Sequence, residues 1–92
     1  MIRRRLVVTG RVQNVFFRDW FVEHATALGL DGWVRNRADG SVEAVVEGAA
    51  EMVETIAGCA RQGSPASRVE QVTVSDDAPA ETLAGFGKRA TL

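Results

Sequence analysis

Hydrophobic spacing along this chain switches from a period of two to a period near 3.6 and back again, twice, and that order excludes most architectures before any motif is read. Arg5 to Gly10 is β-branched and aliphatic and stops at glycine, which predicts a strand. From Asp19 to Leu28 the pattern becomes helical, with Phe17, Phe21, Ala25 and Leu28 at intervals of four, four and three. Asp19 suits the positive end of that helix, and Gly29 suits its stop. Gly32 to Asn36 and Ser41 to Glu47 then read as strands, the second with Val42, Ala44 and Val46 alternating against Glu43 and Glu47. Asp39-Gly40 between them predicts a tight hairpin. Gly48 to about Arg61 returns to helical spacing through Met52, Val53, Ile56 and Ala60, with Glu51 three residues after Gly48 as the cap. Gly63-Ser64-Pro65 breaks the chain, Val69, Val72 and Val74 mark a fourth strand, and Asp76 to Ala80 reads as a loop. Leu83 to Thr91 supplies at most a short C-terminal edge strand, because Gly85 and Gly87 interrupt it.

The sum is βαββαβ, an α+β, ferredoxin-like sandwich in which two helices cover one face of an antiparallel sheet and the first and third strands are central neighbours. Ninety-two residues make one domain, 1–92, with a single modest core, so the site is expected to be shallow and at an edge. The fold alone names no function.

Apolar residues are 46% of the chain and charged residues 25%, which fits a globular protein, and no apolar run approaches the ~20 residues of a membrane span. A net charge of −1 gives no overall field for nucleic acid. The arginines are nonetheless crowded: Arg3, Arg4, Arg5, Arg11, Arg18, Arg35 and Arg37 all precede Ala38. The single cysteine, Cys59, excludes an internal disulfide and suits a reducing compartment. The charged Met1 to Arg5 start is followed by too short an apolar stretch for a signal peptide. A cytoplasmic monomer with no membrane or nucleic-acid partner is the expectation.

The segment Gly10-Arg11-Val12-Gln13-Asn14-Val15-Phe16-Phe17-Arg18 joins the first strand to the first helix. Gly10 lets the backbone leave the strand freely, and the helix aims its unpaired N–H groups back at the turn. Such amides form a concavity for a phosphate or carboxylate, and Arg18 adds a planar fork of donors that matches two phosphate oxygens.

These residues closely resemble the phosphate-binding signature of the acylphosphatase family, Gly-x-Val-Gln-Gly-Val-x-Phe-Arg. A second family motif recurs as Gly32-Trp33-Val34-Arg35-Asn36 followed by Asp39-Gly40-Ser41-Val42-Glu43, and Gly63-Ser64-Pro65-Ala66-Ser67 resembles the entry to the family's fourth strand. The resemblance runs from Leu6 to Val74. It implies a metal-independent, cofactor-free hydrolysis of a small acyl phosphate to a carboxylate and inorganic phosphate. It also implies roles: the backbone amides of Gln13, Asn14, Val15, Phe16, Phe17 and Arg18 and the Arg18 guanidinium bind phosphate, and the Asn36 side chain holds the attacking water.

The chemistry tolerates so small a toolkit. The leaving carboxylate has a conjugate acid of pKa about 4 and departs without a general acid. Positioning of the water and stabilisation of the phosphoryl charge remain, and donors alone supply both.

Asn14 stands where the family usually has glycine. If that position needs positive φ, asparagine is the least costly replacement, at about 1 kcal/mol. Elsewhere, His24 reads as a partly exposed helix residue, Cys59 as a small helix residue, and Trp20 and Trp33 as packing or rim residues. Glu23, Glu43, Glu47, Glu51 and Glu54 read as solvated faces. Two other functions fit the same topology. One is a catalytically weak anion-binding relative of the family, which Asn14 keeps open. The other is an RNA-binding or regulatory module, disfavoured because Val42, Ala44 and Val46 offer no aromatic platform.

Overall fold

A computed structural model describes residues 1–91. Its elements are β1 (Ile2–Arg11), α1 (Phe17–Ala27), β2 (Asp31–Asn36), β3 (Val42–Gly48), α2 (Ala50–Gln62), β4 (Arg68–Ser75) and β5 (Phe86–Lys88). They form one sheet in the order β4-β1-β3-β2-β5. The expected βαββαβ order is present, with β1 and β3 as neighbours.

The register explains which residues make the core. Leu6 of β1 lies opposite Ala44 of β3, which lies opposite Val34 of β2, while Val8 lies opposite Val42 and then Asn36. Directly opposed residues share a face, so these rows point to the helices. Phe17, Phe21 and Ala25 of α1 and Val53, Ile56, Ala57 and Ala60 of α2 close over them. Each fully buried side chain of this size stabilises the fold by roughly 1.5–3 kcal/mol.

Several expectations shift. β1 is longer than Arg5 to Gly10, because Ile2, Arg3 and Arg4 all find partners on β3. α1 starts at Phe17 rather than Asp19, and α2 starts after Ala49 with no side-chain cap, so Gly48 closes β3 instead of capping the helix. The C-terminal strand exists but is parallel to β2, which makes the sheet mixed rather than antiparallel. Residues 76–85 run from β4 at one edge to β5 at the other. Arg3 donates to the Pro79 carbonyl at 2.6 Å, the Trp33 indole donates to Glu81 at 3.1 Å, and the Gly85 amide donates to Asp31 at 2.8 Å. Phe86 then packs on Phe21, with ring centroids 5.6 Å apart.

The largest correction is Glu43, expected on a solvated face and found 3% exposed. It does point away from the helices, but that face is not open there. Arg35, directly opposite on β2, reaches its carboxylate at 2.7 Å, and Arg5 of β1 reaches it at 2.5 Å. Burial pulls the Glu43 pKa upward, yet the hydrogen bonds and charges of Arg35 and Arg5 outweigh it and hold the carboxyl below its ordinary value. Glu47 is likewise half-buried and paired, with Arg3 at 2.8 Å. Trp33 on the same face is 4% exposed, stacked beneath the Arg35 and Arg89 guanidinium groups at 4.8 and 4.6 Å.

Candidate active site

β1 delivers the chain to the site through a local irregularity. Its pairing with β4 slips between Thr9 and Gly10, so that Thr9 faces Gln71 and Gly10 faces Val69. Gly10 takes φ +116, and a Cβ there would run into the Arg68 carbonyl and lie 2.8 Å from the Glu70 amide. Only glycine fits, and the bulge turns the following residues out of the sheet and over its end.

Residues 12–16 then form an irregular loop before α1. Asn14 has φ 60 and Phe16 has φ 59, while Val15 between them is not in the left-handed region. Alternation of this kind turns consecutive amides toward one side and makes an anion-binding nest. Among the described residues, the N–H groups of Gln13 to Asp19 donate to no protein acceptor, and α1 has no side-chain cap. The first amide to find a partner is that of Trp20, bonded to the Phe16 carbonyl at 3.1 Å. Beside this run of donors is a depression of about 330 Å³ lined by Val12, Asn14, Phe16, Phe17, Arg18 and Asp19.

Arg18, in the first turn of α1, is half-buried and makes no ion pair among the described residues. Phe17 lends only its backbone to the loop, since its ring is 1% exposed and belongs to the core. Val15 also packs against the core, and neither it nor Gln13 lines the depression.

The Gln13 side chain makes contacts that its place in the motif does not reveal. Its side-chain amide donates to the carbonyls of Arg37 at 2.8 Å and Ser41 at 2.9 Å, the two ends of the β2–β3 hairpin. The loop and the hairpin are thereby locked together. Asp39 tightens the same turn, accepting from the Ser41 amide at 2.9 Å and hydroxyl at 2.6 Å, and these bonds hold its carboxyl below its ordinary pKa.

Asn36 ends β2 just before this hairpin, on the face against which α1 packs. It does not line the depression and is 9% exposed, and its side-chain Oδ1 accepts no hydrogen bond from any described protein group. A buried acceptor in this condition costs about 1–3 kcal/mol, which marks it as a group kept for something other than stability.

Two features of the site have weak sequence signals. Asp19 meets Lys88 of β5 at 2.7 Å, and the hydrogen bond and charge of Lys88, with a smaller contribution from Arg18, hold its carboxyl below its ordinary value. Only the C-terminal strand, itself hard to read, brings that lysine near. Phe16, the residue immediately before α1, is 81% exposed although it is aromatic and its neighbour is fully buried. Helical spacing selects Phe17 for the core and so leaves Phe16 outside, but nothing local announces its left-handed backbone, which costs about 1–2 kcal/mol for a residue with a Cβ.

With this geometry in place, comparison with known proteins gives a consistent result. Residues 4–88 match the family model described as Acylphosphatase. The chain is 55% identical over 91 residues to an acylphosphatase of Rhizorhabdus wittichii, covering 99% of this chain and 91% of the relative. It is 49% identical to an acylphosphatase of Acidiphilium cryptum, covering 99% of both. The crystal structure of acylphosphatase from Bacillus subtilis superposes with a TM-score of 0.90 at 35% identity, covering 97% of this chain and 99% of that one.

Proposed function

The chain belongs to the acylphosphatase family, whose activity is the hydrolysis of acyl phosphates, and from that membership we propose which of its residues perform the reaction. The amides of Gln13 to Arg18, with the Arg18 guanidinium, bind the phosphoryl oxygens. Asn36 Oδ1 accepts a hydrogen bond from the attacking water and aims its oxygen at phosphorus. The new P–O bond forms as the bond from phosphorus to the acyl oxygen breaks, and the electron pair leaves on the carboxylate.

No side chain at the site is needed as a base. Asp19 is the one carboxylate lining the depression, and Lys88 holds its pKa down, which makes it a poor proton acceptor. The proton shed by the water passes to a phosphoryl oxygen, already the most basic group at the centre. Acceleration comes from fixed donors aimed at charge that redistributes over the phosphoryl group, and from holding water and phosphorus in line. Metal is not required, and activity is expected to survive a chelator.

The observation that carries the assignment is the run of unpaired amides from Gln13 to Asp19 ending beside an unpaired Arg18. Asn36 supports it independently through its orphaned buried oxygen. The test is hydrolysis of an aryl acyl phosphate by wild type and Arg18→Ala, with inorganic phosphate as a competing inhibitor. Loss of turnover together with weaker inhibition supports the assignment, and wild-type rates in Arg18→Ala refute it.

Asn14 favours one alternative, a domain that binds the anion but turns it over weakly. Its exposed side chain projects from a loop position where the family usually has none. Faster turnover in Asn14→Gly with unaltered phosphate inhibition would favour that alternative. We further take the domain as a cytoplasmic monomer acting on a small molecule without nucleic acid, consistent with a net charge of −1 and a lone cysteine.

A further inference from the structure

We infer that Phe16 is the platform for the acyl group, and that it biases the enzyme toward acyl phosphates whose acyl part is aromatic or bulky and apolar. The inference rests on the phosphate reading above and extends it to the other half of the substrate.

Phe16 is 81% exposed, more than any other large hydrophobic residue of the described chain except the terminal Met1. Its ring takes no part in the aromatic contacts of α1, where Phe17, Trp20, Phe21 and His24 stack among themselves, and it lies outside the core cluster. It is held out by an unfavourable backbone, φ 59 and ψ 23, at the lip of the depression that Asn14 and Arg18 also line. At 81% exposure the ring adds little burial to the free fold, and strained backbone conformations cluster where a ligand is met.

The direction of the reaction puts the acyl group beside it. In-line displacement places the leaving carboxylate on the side of phosphorus opposite the attacking water. Asn36, the residue assigned to that water, is 9% exposed, whereas Phe16 is 81% exposed. With the water on the side of the buried Asn36, the acyl group leaves toward solvent, where the exposed Phe16 lines the depression. A ring there can cover an aryl or branched acyl group, but it has little to cover on an acetyl group.

The experiment compares kcat/KM for benzoyl phosphate and acetyl phosphate in wild type, Phe16→Ala, Phe16→Gly and Phe16→Trp. The two substrates share the phosphoryl group, so damage to the loop lowers both alike and leaves their ratio in place. The expected result is that the benzoyl-to-acetyl ratio falls about fivefold in Phe16→Ala, a size typical of losing one aromatic contact. The same fall is expected in Phe16→Gly, whose backbone accepts positive φ freely, and Phe16→Trp is expected to keep the ratio. A ratio unchanged in the alanine and glycine variants overturns the inference while leaving the phosphate reading intact. Turnover that is insensitive to Arg18→Ala overturns the phosphate reading, and the inference with it.

Discussion

Arg18 and Arg35 carry the same charge on opposite sides of this molecule and are used in opposite ways. On the helix-free face, Arg35 and Arg5 converge on Glu43 across β2, β3 and β1, and the acid is buried between them. At the end of the sheet, among the described residues, Arg18 makes no ion pair, the amides around it meet no acceptor, and the buried Asn36 Oδ1 meets no donor. One region encloses charge by pairing it. The other leaves polar groups unpaired and two residues in left-handed conformations, which the rest of the fold must stabilise. The difference is why arginine content alone says little about function: a paired guanidinium is committed to the fold, and an unpaired one beside free amides is left available to an anion.

The contrast is open to attack from both sides. Arg18→Ala should reduce turnover of an aryl acyl phosphate by on the order of 100-fold or more, the usual consequence of losing one preorganised donor. Its thermal unfolding should barely move, and a large fall in melting temperature would mean that Arg18 is structural after all. Asn36→Ala should lower kcat by on the order of tenfold or more through loss of water positioning, with less effect on inhibition by phosphate. Equal losses in both would place Asn36 in phosphate binding instead.

Glu43→Ala should behave in reverse. Removing one member of a buried ion cluster leaves charges without partners and typically costs on the order of 3–5 kcal/mol, readable in a denaturant titration, while turnover per folded molecule persists. The same acid sets a pH dependence. Its folded-state pKa lies below the ordinary glutamate value of 4.5, so its contribution to stability is complete above that value and is lost as pH falls through the lower, folded one. Wild type should therefore lose stability more steeply than Glu43→Gln below about pH 4.5. Parallel acid titrations of the two would contradict the sign. The smallest effect belongs to Lys88→Met. Freeing the exposed Asp19 carboxylate beside the anion site should raise KM by about twofold at low salt, and the difference should vanish at high ionic strength.

The local geometry of the candidate site was more legible in the sequence than its surroundings were. Gly10, the amides to Arg18, and Asn36 all lie in short local motifs, and their geometry follows from a bulge, a turn and a helix start that the chain specifies within a few residues. Asn14 was legible in the same sense, because its φ of 60 is a local property that asparagine tolerates. Glu43 was not. Strand alternation shows that it points away from Val42 and Ala44, but only the pairing of strands distant in sequence brings Arg5 to it. β5 was obscured for a related reason: Gly85 and Gly87 lower its local propensity, while its pairing comes from the Gly32 amide to Gly85, the Arg89 amide to Val34, and Phe86 on Phe21. Gln13 divides between the two cases. Its amide belongs to the motif, but its side chain serves the hairpin, whose closeness is a tertiary fact.

If the loop from Gln13 to Arg18 grips the phosphoryl moiety, amide NMR during titration with inorganic phosphate reads it directly. Saturable shifts concentrated on the N–H groups of Gln13 to Arg18, and abolished in folded Arg18→Ala, are the predicted result. Saturable shifts centred elsewhere, such as around Arg4 and Arg61 at the far end of β1 and α2, with the loop amides unmoved, would contradict it.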